Sequence, residues 1–186
     1  KTGEVLALAS YPDYDPSLFV DGISQKQYDS YREGNNLYNR AVSGSYAPGS
    51  TFKMATAIAG LETGSITPTS RINDTGVYPR GHNPVCWYYT SYHTGHGYLN
   101  VTEAIKHSCN YFFYETGYGA GIANIAKYAS YLGLGQKTGI ELEGETSGTL
   151  ASPEVAKEKD NNEWYIGDTL SAAIGQSYNS FSPLQM

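Results

Sequence analysis

One stretch restricts the fold more than any other: Tyr46-Ala47-Pro48-Gly49-Ser50-Thr51-Phe52-Lys53 followed by Met54-Ala55-Thr56-Ala57-Ile58-Ala59-Gly60-Leu61-Glu62. The Pro-Gly pair punctuates the chain, and the apolar run behind it meets few breakers before Gly64, a residue suited to closing a helix. The run predicts a buried helix over about 50–63. A chain of 186 residues is long enough for one medium domain with a core to receive it. A charged lysine near the head of a buried helix calls for a reason, because an unpaired charge is costly away from water.

The composition fits a folded chain, with 40% hydrophobic and 16% charged residues. Twelve basic against 18 acidic residues give a net charge of −6, which argues against nucleic acid or an anionic membrane surface as the main partner. The 18 tyrosines suit stacking on sugars or peptides, or packing with a polar tip at the surface. No apolar run approaches the ~20 residues of a membrane span. The first ten residues are too short and too mixed for a signal peptide. The chain lacks an initiator Met and closes on Ser182-Pro183-Leu184-Gln185-Met186, so both ends are expected to be cuts inside a longer protein.

Residues 4–10 alternate weakly and predict a strand. A polar surface helix is expected over 24–33, and residues 71–98 read as loop, rich in Gly, Pro, Asn and Tyr. Asn100-Val101-Thr102-Glu103 has the form of a capping box and predicts a helix through Lys106. Further helices are expected over Asn110–Gly117 and Ile122–Leu132. Residues 139–150 suggest a short strand with turns, and 152–164 a charged surface segment. Helices dominate and a few strands accompany them, so the expected class is α+β.

Ser50 and Lys53 stand three apart, so on a helix they share a face and the amine can reach the hydroxyl. A serine is a weak nucleophile until a neighbour takes its proton, and a lysine does so when burial or nearby positive charge lowers its pKa. In a first helical turn the serine's own N–H is unpaired and the helix dipole favours an oxyanion. The spacing alone is weak, since about one Ser-x-x-Lys is expected by chance in a chain of this length. The competing reading makes Ser50 an N-cap and Lys53 a solvated residue. The Pro-Gly turn and the apolar helix favour chemistry.

Tyr46–Lys53 resembles the Tyr-x-Pro-Gly-Ser-x-x-Lys signature of class B penicillin-binding proteins, and Asn39-Arg40-Ala41 also matches. Thr2–Ser10 resembles the family's opening strand. Gly95-His96-Gly97-Tyr98-Leu99-Asn100-Val101-Thr102, Asn110-Tyr111-Phe112-Phe113-Tyr114, Thr138-Gly139-Ile140-Glu141-Leu142, Gly167-Asp168-Thr169 and Ile174-Gly175-Gln176 resemble the elongation-type, rod-shape members. The match runs nearly the whole chain in order. It implies a transpeptidase fold shared with serine beta-lactamases: a mostly helical portion plus part of the central antiparallel sheet. Residues 1–186 would be one partial domain, with the membrane anchor, the pedestal region and a Lys-Thr-Gly strand outside it.

The family's three motifs are Ser-x-x-Lys, Ser-x-Asn and Lys-Thr-Gly. Ser108-Cys109-Asn110 sits where the second belongs. The resemblance implies that Ser108 passes a proton to the leaving group and that Asn110 holds the substrate amide, both contacting Lys53. The competing reading is a helix break with local side-chain caps. A second Ser-x-Asn, Ser177-Tyr178-Asn179, falls where the family carries Gly-Gln-Gly and reads as coincidence. Lys-Thr-Gly occurs at 1–3 and 137–139. Residue order alone does not reject Lys137; the resemblance does, and it places the third motif beyond residue 186. The 186-residue piece alone is therefore expected to acylate very slowly or not at all.

Cys86, His96 and Cys109, with Asp74 as the nearest good upstream carboxylate, would make a tetrahedral zinc set. A ligand at Cys109 would brace the turn carrying Ser108 and Asn110, and a Gly- and Tyr-rich loop would gain order from such a clip. A Cys86–Cys109 disulfide and two free thiols remain rivals, and His82 and His93 are alternative ligands.

By resemblance the reaction is D,D-transpeptidation through a serine acyl-enzyme on peptidoglycan stem peptides ending in D-Ala-D-Ala, blocked by beta-lactams. It would need no cofactor for the chemistry, with at most a structural zinc. The family acts at the extracytoplasmic face of the bacterial membrane beside a glycan-polymerising membrane protein and elongation scaffold proteins. A beta-lactam sensor or serine beta-lactamase, and a non-catalytic peptidoglycan-binding module, stay open as alternatives.

Overall fold

The computed structural model describes residues 2–186. Among them the chain forms α1 (Gln25–Glu33), α2 (Lys53–Glu62), β1 (Ile72–Asp74), α3 (Trp87–Tyr92), β2 (Gly97–Leu99), α4 (Val101–Lys106), α5 (Asn110–Ala120), α6 (Ile122–Tyr131), α7 (Pro153–Asp160) and α8 (Ile166–Ala173). β1 and β2 pair antiparallel, with Ile72 opposite Leu99 and Asp74 opposite Gly97. Helices with a small antiparallel sheet make the α+β class expected above. No helix of the described residues is long and apolar enough to cross a membrane.

Local chemistry sets most helix starts. Ser24 caps α1 by accepting from the Gln27 N–H. Asn100 and Glu103 form the expected reciprocal capping box at α4. Ser152 caps α7 and Pro153 takes its first turn, where a missing N–H costs nothing. The expected helix over 50–63 forms, but its first turn, Gly49–Phe52, is a tighter 3-10 turn. The Gly49 N–H is drawn to Gly175 O at 2.9 Å, tying this turn to the segment after α8. Gly175 has φ 76, and a Cβ there would overlap the Gly49 backbone, so the approach requires glycine.

α2 packs on α5 and α6, and α5 packs on α8. These axes come close because the contact points are small. A Cβ on Gly60 would overlap Thr116 of α5, and one on Gly117 would overlap Ala173 of α8. One apolar cluster gathers Tyr78, Phe112, Phe113 and Leu170; a second gathers Phe52, Ile125, Leu134 and Phe181. The Phe52 and Phe181 rings stack at 6.0 Å.

Three expectations differ from what forms, and a fourth gains detail. Residues 4–10 carry no strand, because a strand needs a ladder partner and none of the described residues pairs with them. The 139–150 segment contributes only an isolated bridge between Thr149 and Ser180. The expected loop over 71–98 contains β1, the short α3 and the start of β2, elements too brief to leave a periodicity. The charged 152–164 segment lies at the surface as expected and is largely α7, a helix whose single buried residue, Ala156, leaves almost no apolar stripe to read.

Candidate active site

Ser50 lies exposed in the tight turn that opens α2. One turn on, Lys53 is only 2% exposed, although it carries a charge at neutral pH in most settings. Its Nζ lies 2.8 Å from Ser108 O, 2.6 Å from Asn110 Oδ1 and 3.0 Å from Ser108 Oγ. Among the described residues no hydrogen bond joins Nζ to Ser50 Oγ. Burial lowers the Lys53 pKa to about 8, and negative charge at Cys109 and Cys86 limits the fall.

Ser108 joins α4 to α5 at φ 50, a left-handed conformation uncommon for serine. Cys109 then caps α5, its Sγ accepting from the Phe112 N–H at 3.4 Å, and Asn110 opens the helix. The turn thus aims Ser108 and Asn110 at one amine. Trp87, which no spacing singled out, donates its indole N–H to Ser108 O at 3.0 Å and His107 O at 3.2 Å.

Behind this turn the ligand atoms of Asp74, Cys86, His96 and Cys109 all lie within 4.8 Å of one another. Strand register does part of this work: Asp74 ends β1 opposite Gly97, which brings in the neighbouring His96. A Cβ on Gly95 would overlap the Asp74 carbonyl, so the Gly-His-Gly setting admits the approach. Asp74 accepts from the Gly76 N–H at 2.7 Å and pairs with His96 Nδ1 at 2.6 Å. Burial pushes the Asp74 carboxyl up, but hydrogen bonds from His96, Gly76 and Cys109 outweigh it and hold the pKa below the usual value.

The two thiols are free, with sulfurs 4.0 Å apart. Cys109's hydrogen bond lowers the Cys86 pKa to about 6, while that same bond and burial push Cys109 up. The pair therefore readily holds one negative charge and resists a second beside the Asp74 carboxylate. His96 stacks on Tyr88 at 4.2 Å, and its Nε2 is buried without a hydrogen-bond partner. A buried set of one carboxylate, two thiols and an imidazole whose Nδ1 meets both Asp74 and Cys86 is a donor set suited to a borderline-soft dication.

His82 and His93 lie elsewhere, the first against Gly167 and the second closing α3 in a left-handed conformation. The Ser177–Asn179 match is structural: the buried Asn179 donates to Ala172 O and accepts from the Ala151 N–H. Lys137-Thr138-Gly139 is irregular backbone held by Glu145, which accepts from the Thr138 and Gly139 N–H groups, and no strand forms there. The other Lys-Thr-Gly begins at Lys1, outside the described residues.

Residues 1–186 match the family described as the penicillin binding protein transpeptidase domain. The chain is 40% identical over 194 residues to a peptidoglycan D,D-transpeptidase, MrdA, of Escherichia coli K12, covering 100% of this chain and 30% of that protein. Among solved structures it resembles PBP2 of Pseudomonas aeruginosa in complex with WCK 5153, at 40% identity and a TM-score of 0.89 over 99% of this chain and 42% of that one. It also resembles PBP2 of Helicobacter pylori in its complex with MreC, at 35% identity and a TM-score of 0.91 over 98% of this chain and 34% of that one. Spanning under half of these relatives yet matched from one end to the other, the chain belongs to the penicillin-binding protein transpeptidase-domain family.

Proposed function

We propose that this chain carries the nucleophile and proton-handling part of a peptidoglycan D,D-transpeptidase, with Ser50 acylated, Lys53 as base, Ser108 as proton relay and Asn110 as substrate anchor. The observation that carries the reading is the buried Lys53 amine held between Ser108 and Asn110. A neutral amine has two N–H donors and one lone pair. The two carbonyl-type acceptors, Ser108 O and Asn110 Oδ1, take the donors. The lone pair is left for a hydroxyl proton, and a pKa of about 8 makes the neutral form accessible near neutral pH.

Ser50 Oγ attacks the carbonyl between two terminal D-alanines of a stem peptide as its proton passes to Lys53. The Ser50 N–H, in the first turn of a helix, faces the developing oxyanion. The C–N bond breaks, and Ser108 delivers a proton to the departing amine. An amine from a second stem then attacks the ester, frees Ser50 and forms the cross-link. Beta-lactams enter as substrate mimics and leave an ester that turns over slowly. The whole protein would work at the extracytoplasmic face of the bacterial membrane, beside a glycan polymerase and elongation scaffold proteins. The similarity to PBP2 of H. pylori in its complex with MreC supports the scaffold partner.

The Asp74, Cys86, His96 and Cys109 cluster we propose as a structural zinc site. A dication would neutralise the crowded carboxylate and thiolate and brace the turn carrying Ser108. It would order that turn and take no part in the chemistry.

The test is covalent labelling by fluorescent penicillin of this chain expressed with the flanking lengths its relatives carry. Labelling is expected at one site and to fall to background in Ser50→Ala. Labelling that survives that substitution removes the nucleophile assignment. Rapid nitrocefin turnover would indicate a hydrolase instead.

A further inference from the structure

We infer that Trp87 is a positioning residue for acyl transfer, its indole N–H pinning the Ser108 carbonyl so that one turn presents Ser108 Oγ and Asn110 Oδ1 to Lys53. The inference rests on the acyl-transfer reading above. Ser108 holds φ 50, a conformation that disfavours a residue with a Cβ and persists where neighbours over-determine it. Its carbonyl oxygen has two lone pairs, and two donors occupy it: Lys53 Nζ at 2.8 Å and Trp87 Nε1 at 3.0 Å. The same indole reaches His107 O at 3.2 Å, an orphan carbonyl at the end of α4. One side chain thus closes both sides of the bend between α4 and α5.

The placement of the ring supports this role. Trp87 is 42% exposed, so it is not core filler. It opens α3 directly after Cys86, and its ring meets Tyr88 and His96 edge-on at 5.6 and 5.7 Å. The loop carrying the cluster is thereby tied to the Ser108 turn through a hydrogen bond as well as through Cys109. Without the indole donor, Lys53 alone would hold the Ser108 carbonyl. The base would then be required both to keep the turn in place and to move a proton.

The experiment replaces Trp87 with benzothienylalanine, which keeps the ring shape and puts sulfur where the N–H stood, and separately with Phe. Both are made in the chain with its flanking lengths. Rapid-mixing measurements with fluorescent penicillin separate the noncovalent dissociation constant from the acylation rate constant. Both variants are expected to acylate about tenfold more slowly, the rate equivalent of about one neutral hydrogen bond. Noncovalent binding should stay within about twofold and the thermal transition within a few degrees.

Acylation of the benzothienylalanine variant at the unsubstituted rate overturns the inference, and so does a Phe variant impaired while the isostere is normal. A loss confined to noncovalent binding, or one that tracks a lost thermal transition in both variants, overturns it as well. Absence of Ser50-dependent labelling in the unsubstituted protein is a distinct result: it removes the acyl-transfer reading and the inference with it.

Discussion

Lys53 shows what a single residue contributes when it is kept from water. Burial lowers its pKa from 10.5 to about 8, so folding penalises its charged form. Below about pH 8 both folded and unfolded chains carry the proton, and the full penalty, on the order of 3 kcal/mol, weakens the fold. Between about 8 and 10.5 the unfolded chain binds more protons than the folded one, so this contribution raises stability with pH. Urea unfolding across this range should show a rise in the unsubstituted chain relative to Lys53→Met. A flat difference would mean the amine is not held away from solvent. Acylation by penicillin, in the chain with its flanking lengths, should likewise climb through about pH 8 as the neutral amine forms. The Ser50 and Lys53 spacing was legible in the sequence. The third and fourth partners were placed by motif resemblance, because the left-handed Ser108 that aims them has no compositional mark.

At the scale of elements, small residues set how closely helices approach. Gly117 of α5 faces Ala173 of α8 with no room for a side chain. Gly117→Val should cost about 1–3 kcal/mol by overpacking, read as a melting temperature lower by roughly 3–10 °C. An unchanged transition would show the α5–α8 contact to be compliant. α3 buries none of its residues and β1 and β2 are three residues each, so the Asp74, Cys86, His96 and Cys109 cluster is what would order them. Metal analysis of the purified chain should find about one zinc. Chelation should release two titratable thiols and lower the transition by roughly 5–10 °C. No metal and no free thiol would indicate a Cys86–Cys109 disulfide, and free thiols without metal would indicate neither. The capping box at Asn100 and Glu103 was readable because it is contiguous, whereas the β1–β2 register that delivers His96 to Asp74 joins residues 22 apart.

Over the whole molecule, apolar surface is concentrated near residues 5–20. Leu6 is 95% exposed, Tyr11 85% and Val20 79%, with Val5, Leu8, Leu18 and Phe19 also exposed. Several large apolar side chains left wet along one short segment favour contacts that cover them. The 186-residue chain alone should therefore self-associate as its concentration rises, measured by light scattering behind size-exclusion chromatography. With its flanking lengths it should run as a single species. A monodisperse monomer at every concentration would show that this segment needs no cover. The same two preparations compare labelling by fluorescent penicillin, where the 186-residue chain is expected to be much the slower.

The sequence by itself determined the buried helix of α2, the capping box of α4, and the one-turn relation of Ser50 to Lys53, because each depends on residues within about four positions. Only the tertiary structure decided that Lys53 faces Ser108 and Asn110, that Gly175 docks on the turn of Gly49, and that Asp74, Cys86 and His96 meet at Cys109. Those outcomes follow from helix packing and strand register, which bring together residues whose separation along the chain carries no periodic signal.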